Sequence, residues 1–240
     1  MTPRKLPDEG AWKDVPAVIV GGGPSLREFN WAALDCSGTP SHNRHFRTIA
    51  INRAYRDVPT ADCFFTEDSR VVAKFGHRRD FKSFKGLKLL HLLDDGYLPE
   101  LIPFMDQLTV VHRKRGDKFW SDSWDDGLSV SSNSGIGALN IATIMGCKTV
   151  FCLGFDCRTD GPTIQNYHGD YESSWAVGSG QLADYASDFT HWAALNLRKR
   201  GVSVINIVNP NFESALTCWP KLSFEDFYCI LKQKHAIVRA

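Results

Sequence analysis

The sequence has no long hydrophobic run and no excess of charge of one sign. None of its apolar stretches approaches the ~20 residues that cross a bilayer, and its polar N-terminus has no signal-peptide core. The 28 basic and 27 acidic side chains leave a formal net charge of +1, so the overall field neither attracts polyanions nor repels them. We therefore expect a soluble protein without membrane insertion, and any nucleic-acid binding has to be local.

Paired cysteine motifs are also missing. The seven cysteines are an odd number and include no C-x-x-C pair, which argues against a disulfide framework and against a zinc ribbon. Cys147, Cys152 and Cys157 surround one apolar run, which is typical of buried thiols in a reducing compartment. Repeats and low-complexity tracts are absent too, and 43% apolar with 23% charged residues is an ordinary globular composition.

Short apolar runs alternate with helical patterns along the chain. This alternation predicts an α/β, Rossmann-like fold with a mainly parallel sheet and helices on both faces. We expect a single domain over 1–240, with a core from about 16 to 220 and a C-terminal helix over about 223–234. The predicted strands are Ala17–Val20, Thr48–Ile51, Cys63–Thr66, Leu87–Leu93, Leu108–Val111, Thr149–Leu153 and Val202–Ile207.

Two helices and one long loop stand out in the second half. The first helix is predicted to begin near Asn133 and to end at Gly146. The second is predicted to end at a basic run before Gly201, and its apolar stripe consists of Leu182, Tyr185, Ala186, Phe189, Trp192 and Ala193. The polar segment between Cys157 and Gln181 exceeds the usual connection length, so we predict a long active-site loop there.

The first predicted strand ends in three glycines followed by proline and serine. Gly21, Gly22 and Gly23 allow the backbone to approach a ligand without obstruction by a Cβ. Pro24 and Ser25 then open a predicted helix whose N–H groups would face an anion. The run lacks the P-loop lysine and the G-x-G-x-x-G spacing, so it predicts a phosphate site of another kind, with a simple tight turn as the alternative.

Polar residues follow other strands at the edge where parallel sheets bind ligands. Asn52 could present its amide to a base or a sugar. Asn133, Ser134 and Gly135 open a helix whose dipole favours a phosphate. Asp156 could accept ribose hydroxyls, although a turn-stabilising aspartate is the alternative.

Carboxylates flank the third strand, and a histidine lies in the long loop. Asp62, Glu67 and Asp68 could hold Mg²⁺ through hard oxygen ligands, while helix capping by Asp68 or Ser69 is the alternative. His168 lies two residues before Asp170 and is the best general-base candidate. Its alternative is a loop ordered only by aromatic packing.

Basic residues alternate with aromatic ones from Lys74 to Lys88 and recur at Arg113, Lys114 and Arg115. Such a segment could contact a nucleic acid. Acidic residues close to this segment, and a net charge of the whole chain close to zero, favour an ordinary solvated surface instead.

Several of these features together resemble the bacterial lipooligosaccharide sialyltransferase family, from about Val18 to Pro220. They are Gly21-Gly22-Gly23-Pro24-Ser25-Leu26, Asn52, Ser134-Gly135, Gly154-Phe155-Asp156 and Asn209-Pro210-Asn211. The resemblance implies that Gly22, Gly23, Asn52, Ser134 and Asp156 line the site of a CMP-sugar donor. The stretch that holds the family's catalytic histidine contains Gly180, Gln181 and Asp184 here, so Asp184 joins His168 and Asp170 as a catalytic candidate.

A second resemblance is to the archaeal-type 6-hydroxymethylpterin diphosphokinase family. The carboxylates from Asp62 to Asp68 and the combination of Asp156 with His168 carry it, and it implies ATP and Mg²⁺ as ligands. The glycine-rich turn is also similar to that of uncharacterised phage-encoded proteins.

Three function classes follow from these patterns. The leading one is a glycosyltransferase-like transferase that moves a group from a nucleotide-linked donor, of CMP type, to an acceptor hydroxyl. The alternatives are an Mg²⁺-dependent diphosphokinase using ATP and a non-catalytic nucleic-acid-binding module. The acceptor stays open between a sugar and nucleic acid, homo-oligomerisation stays open, and we expect the cytoplasm of a bacterial or phage-infected cell.

Overall fold

The computed structural model describes residues 5–34, 45–92, 99–112, 120–129, 133–161, 166–169, 175 and 178–237. Within them lies one eight-stranded sheet. Its strands are β1 Ala17–Val20, β2 Arg47–Ile51, β3 Cys63–Thr66, β4 Leu87–Leu92, β5 Thr109–His112, β6 Thr149–Leu153, β7 Ser203–Val208 and β8 Lys221–Ser223. The predicted strands therefore coincide with β1 to β7 to within a residue or so at each end.

The sheet is built from two runs of strands that start at its centre. The spatial order is β5-β4-β3-β2-β1-β6-β7-β8, and the seven pairings between described residues are all parallel. The chain moves outward from β1 to β5 and then returns to place β6 beside β1. The prediction of an α/β, Rossmann-like parallel sheet is confirmed, and the strand order reverses between β1 and β6.

Both faces of the sheet are covered, which is why its central strands are almost continuously apolar. The β1 residues Ala17 and Ile19 belong to the core on one face, while Val18 and Val20 belong to the core on the other. The helices are α1 Ser69–Phe75, α2 Arg79–Ser83, α3 Ser134–Ile144, α4 Ser179–Asp188, α5 Ala194–Lys199 and α6 Phe224–Ile237. Apolar residues of α3 pack on the first face, and those of α1 and α6 pack on the second.

Helix α3 begins and ends where the sequence predicts. Asn133 caps it, since the Asn133 side chain accepts a hydrogen bond of 3.1 Å from the Ile136 N–H. Gly146 follows with φ of +89°, a left-handed conformation that suits glycine at a helix C-terminus. The helix lies against β1, β2 and β3, so its N-terminus is held at the carboxyl edge of the sheet.

Two helices differ in detail from their sequence predictions. The segment after the glycine-rich turn is a five-residue 3₁₀ helix, Pro24–Glu28. It ends at Phe29, whose N–H donates to the Leu26 carbonyl and whose ring contacts Phe224 in the aromatic core. The second long helix contains a π-helical turn over Phe189–Ala193 that joins α4 to α5. Such turns are frequent next to functional sites.

Candidate functional site

A cleft of about 590 Å³ lies at the carboxyl ends of β1, β2 and β6. The chain leaves β1 toward the face that buries Leu26 and leaves β6 toward the face that buries Phe155. The crevice between two such diverging connections is the usual ligand site of open parallel sheets. The glycine-rich turn, Asn52, the start of α3 and Asp156 all line this cleft.

Gly21 and Gly23 are required by the packing of the turn itself. Their N–H groups donate to the carbonyls of Leu153 and Gly154, at 2.8 and 2.9 Å, which joins the turn to the end of β6. A Cβ on Gly21 would lie 2.9 Å from the Gly154 carbonyl oxygen. A Cβ on Gly23 would lie 2.6 Å from the same oxygen. Both glycines therefore permit a close approach of two backbones.

Gly22 differs because it faces side chains of the long loop. A Cβ there would lie 2.8 Å from Asn166 Oδ1 and 3.7 Å from His168 Nε2. The Gly22 carbonyl accepts a hydrogen bond of 3.1 Å from the Tyr167 N–H. The structure thus brings the predicted base His168 to the predicted phosphate turn, although these residues are far apart in the sequence. Asp170, the other loop candidate, lies outside the described residues.

Asp156 lines the cleft but also stabilises the turn. It is buried, and its Oδ2 accepts a hydrogen bond of 2.9 Å from the Ser25 N–H. Burial raises the pKa of Asp156 to about 6, while the hydrogen bond from Ser25 opposes the rise. This geometry matches the turn-stabilising alternative; contact with ribose hydroxyls stays a prediction.

The raised pKa of Asp156 predicts a pH-dependent stability. The folded protein binds this proton more tightly than the unfolded chain does. The contribution of Asp156 to the free energy of unfolding is therefore full below about pH 4 and is lost as the pH rises through about 6. The gap between 3.8 and about 6 corresponds to about 3 kcal/mol. We expect the free energy of unfolding of the wild type to fall by up to this amount relative to Asp156→Asn. Urea unfolding of both proteins across this pH range measures it, and parallel profiles would contradict it.

Asn52 adopts a left-handed conformation with φ of +53°, which asparagine tolerates better than most residues. Its Oδ1 accepts a hydrogen bond of 2.7 Å from the Thr66 hydroxyl. Because the amide oxygen is engaged, its N–H donors are the atoms that could contact a ligand in the cleft.

The N-terminus of α3 forms the opposite wall. The Ser134 hydroxyl accepts a hydrogen bond of 3.2 Å from the Glu67 N–H. Gly135 lies under two aromatic rings, since a Cβ there would be 2.8 Å from Phe189 and 2.9 Å from Phe155. The first N–H groups of a helix lack intrahelical partners and carry partial positive charge, so this wall favours an anion.

The proposed joint use of Asp62 and Asp68 as metal ligands is wrong. Asp62 precedes β3 and binds the Thr48 N–H at 2.9 Å and Arg47 at 3.2 Å, whereas Asp68 follows β3. The strand between them corresponds to roughly 13 Å of extended chain. Asp68 caps α1, and both of its oxygens accept hydrogen bonds from the Arg70 guanidinium, each 2.8 Å long.

Asp184 does not line the cleft. It is exposed on α4, where Gln181, Leu182 and Tyr185 are the residues that face the cleft. The prediction of Asp184 as a catalytic residue at the cleft therefore has no support in this geometry.

Tyr185 is a cleft residue that sequence reasoning treated as part of the apolar core. Its hydroxyl accepts a hydrogen bond of 2.7 Å from Gln181 Nε2. Desolvation raises the pKa of Tyr185, and the carboxylates of Glu67 and Asp68 contribute to the rise. The spacing of apolar residues in this helix predicted its apolar side. Such spacing does not distinguish a side that packs in the core from one that lines a cleft.

The aromatic residues between Lys74 and Lys88 cannot form a base-stacking surface. Phe75, Phe81 and Phe84 are buried. Lys88 is buried as well, with its Nζ 5.2 Å from the centroid of the Phe81 ring. This arrangement contradicts an aromatic nucleic-acid interface at this segment. The other basic run, at 113–115, lies outside the described residues.

The cleft contains a thiol but no cluster of metal ligands within the part of the chain that the structure describes. Burial raises the pKa of Cys157 to about 12, so this thiol is protonated and is a poor nucleophile near neutral pH. None of the described helices combines the length and apolar character needed to cross a bilayer.

No protein-family model and no curated protein sequence matches this chain. Among solved structures, it is similar to the sialyltransferase CstII from Campylobacter jejuni, determined in complex with the substrate analogue cytidine-5'-monophosphate. The TM-score is 0.49 at 13% sequence identity, covering 88% of this chain and 85% of that one.

Proposed function

We propose that this protein is a nucleotide-dependent, glycosyltransferase-like transferase that moves a group from a nucleotide-linked donor to an acceptor hydroxyl. The observation that carries the proposal is the cleft between β1 and β6. There a glycine turn, a helix N-terminus and a strand-end amide converge at the point where the strand order reverses.

The phosphate of the donor would lie between Gly22 and the start of α3. Gly22 lines the cleft, and because it has no Cβ the side chain of Asn166 packs against the backbone there. The helix end supplies N–H groups and a favourable dipole. Asn52 would then contact the base or the sugar through its amide N–H groups. The resemblance carried by these same residues makes a CMP-type donor the one we expect.

His168 would act as the general base of the transfer. It would take the proton of the acceptor hydroxyl while that oxygen forms a bond to the transferred group of the donor. The bond between that group and the phosphate oxygen would break, and its electron pair would leave with the nucleotide. The closeness of His168 Nε2 to Gly22 supports this role.

The cleft fits an Mg²⁺·ATP complex less well. A diphosphokinase would need carboxylates to place the metal on the phosphates. Asp68 is engaged on both oxygens by Arg70, and Asp62 lies at the opposite end of β3. Of the three candidate carboxylates, this leaves Glu67, which lines the cleft.

A thermal-shift series with CMP, UDP, GDP and ATP, each with and without Mg²⁺, tests the proposal. A ligand at 100 times its dissociation constant stabilises the folded protein by ~2.7 kcal/mol. We expect stabilisation by CMP that does not require Mg²⁺ and that is lost in Gly22→Val. Stabilisation by ATP only with Mg²⁺ would favour the diphosphokinase, and no stabilisation by any nucleotide would overturn the proposal.

Asn52→Ala is expected to weaken binding of cytidine and CMP alike by about tenfold, because an amide contact to base or sugar does not depend on the phosphate. Asn52→Gly is the matched variant, since glycine keeps the left-handed backbone without strain. Calorimetric titration of both variants measures the effect. If only Asn52→Ala weakens binding, the backbone conformation and not the amide is responsible.

A further inference from the structure

A second pocket of about 370 Å³ lies beside the glycine-rich turn. Among the described residues that line it, three are arginines, Arg27, Arg53 and Arg56, and one is a carboxylate, Asp57. His168 also lines it. We call this the arginine pocket. Several cations around one concavity favour an anion inside it.

The innermost cation of the arginine pocket is held in a fixed position. Arg53 is fully buried. Its Nη1 donates a hydrogen bond of 3.0 Å to the Tyr55 hydroxyl, and its guanidinium carbon lies 4.0 Å from the centroid of the Phe75 ring. Ring contacts of this kind stabilise a cation. These contacts fix the Arg53 guanidinium beside the arginine pocket.

The two outer arginines form ion pairs that an incoming anion can replace. Arg27 pairs with Asp160 at 2.9 Å, and Arg56 pairs with Asp80 at 3.3 Å. All four of these side chains are more than a third exposed. Pairs of this exposure contribute little to stability, typically about 0–1 kcal/mol. Charge-assisted bonds to a ligand oxyanion, by contrast, are among the stronger hydrogen bonds.

One wall of the arginine pocket is aromatic, and one residue connects the pocket with the nucleotide cleft. Trp31 and Tyr167 stack at 5.3 Å between centroids, and the Tyr167 hydroxyl donates a hydrogen bond of 2.7 Å to Asp57. His168 is next to Tyr167, and its Nε2 reaches to 3.7 Å from the Cβ position of Gly22. The imidazole thus lies between the arginine pocket and the proposed phosphate site.

We infer that the arginine pocket binds the acceptor, and that this acceptor is a small molecule carrying an oxyanion, either a carboxylate or a phosphate. The inference rests on the proposed function, because it assigns the donor to the neighbouring cleft. The anion is bound by Arg27 and Arg56 above the charge of Arg53, and the acceptor hydroxyl is directed toward His168. A volume of about 370 Å³ suits a small molecule.

The test uses inorganic phosphate and acetate as probes, titrated calorimetrically into protein saturated with CMP so that the donor cleft is filled. The variant is the double substitution Arg27→Gln with Arg56→Gln, which leaves the buried Arg53 in place. Arg78→Gln is the matched control, since Arg78 also lies near Asp80, at 3.8 Å, but does not line the arginine pocket. Urea unfolding confirms that the variants fold.

We expect at least about tenfold weaker binding of the preferred probe to the double variant, because two charge-assisted contacts are lost. Binding to Arg78→Gln and the affinity for CMP should not change. The preferred probe identifies the acceptor anion as phosphate or carboxylate. Equal probe affinity in wild type and double variant would overturn the arginine pocket as an anion site.

Two further outcomes separate this inference from the proposed function. If no nucleotide binds but phosphate binding still depends on Arg27 and Arg56, the proposed function fails and the acceptor role fails with it, whereas the anion site remains. If neither probe binds and a single-stranded oligonucleotide binds through the same arginines, the inference of a small-molecule acceptor is wrong and the pocket contacts nucleic acid.

Discussion

His168→Asn is expected to lower turnover by about 10²–10⁴-fold while leaving nucleotide affinity unchanged. Asparagine fills similar space and forms hydrogen bonds, but it cannot accept a proton near neutral pH. The motivation is the position of His168, which lines the arginine pocket and approaches Gly22 of the donor cleft. Single-turnover rates at saturating donor, together with CMP titrations, measure the two effects separately.

His191→Asn is the matched control for this experiment. His191 is exposed, lies in the π-helical turn over Phe189–Ala193 and does not line the cleft. Its replacement should leave the rate unchanged. If His168→Asn retains near wild-type turnover, His168 is not the base and another group accepts the proton.

Gly23→Ala is expected to destabilise the fold by about 3 kcal/mol or more. The added methyl group would meet a backbone carbonyl and a buried carboxylate, which cannot move away without moving the backbone after β6. Its Cβ would lie 2.6 Å from the Gly154 carbonyl oxygen and would overlap the buried Asp156 carboxylate. Relieving the overlap requires the turn and β6 to separate. Urea unfolding near neutral pH measures the loss.

Gly22→Ala provides the contrast within the same turn. Its Cβ would meet the Asn166 side chain at 2.8 Å, which can rotate away, so the expected loss of stability is below about 1 kcal/mol. The same change should weaken nucleotide binding, since it disturbs the loop where it crosses the turn. Equal stability of the Gly22→Ala and Gly23→Ala proteins would contradict the division of roles between the two glycines.

Much of the fold could be predicted because the central strands are continuous apolar runs bounded by turn residues. The predicted bounds of β1, β3 and β6 agree with the structure residue for residue. Strand β8 was missed, because Lys221–Ser223 contains a single apolar residue and pairs only at the edge beside β7. The helix predicted after the turn is a short 3₁₀ helix, and the hydrogen bond from the Ser25 N–H to Asp156 had no sequence signal, because it joins positions 131 residues apart.

The rim of the cleft could be predicted because residues that follow parallel strands share one edge of the sheet. That rule places Gly22, Asn52 and Asp156 around the same cleft. It also excludes Asp62, which precedes β3. Grouping Asp62 with Asp68 was wrong because it followed sequence proximity instead of the strand end.

The arginine pocket had only part of a sequence signal. Arg27 and Arg56 follow the adjacent parallel strands β1 and β2, which places both at one edge of the sheet. The crossing of the long loop over the glycine-rich turn, fixed by the hydrogen bond from the Tyr167 N–H to the Gly22 carbonyl, brings Tyr167 and His168 to the same pocket. Contacts of such long sequence separation depend on tertiary packing and leave no periodic pattern in the chain.

A crystal structure of the protein soaked with CMP tests the central claim most directly. We predict electron density in the cleft between β1 and β6, with the phosphate between Gly22 and the N-terminus of α3 and the nucleoside near Asn52. Density for CMP at any other surface, or an empty cleft in crystals of a protein that binds CMP in solution, would contradict the claim.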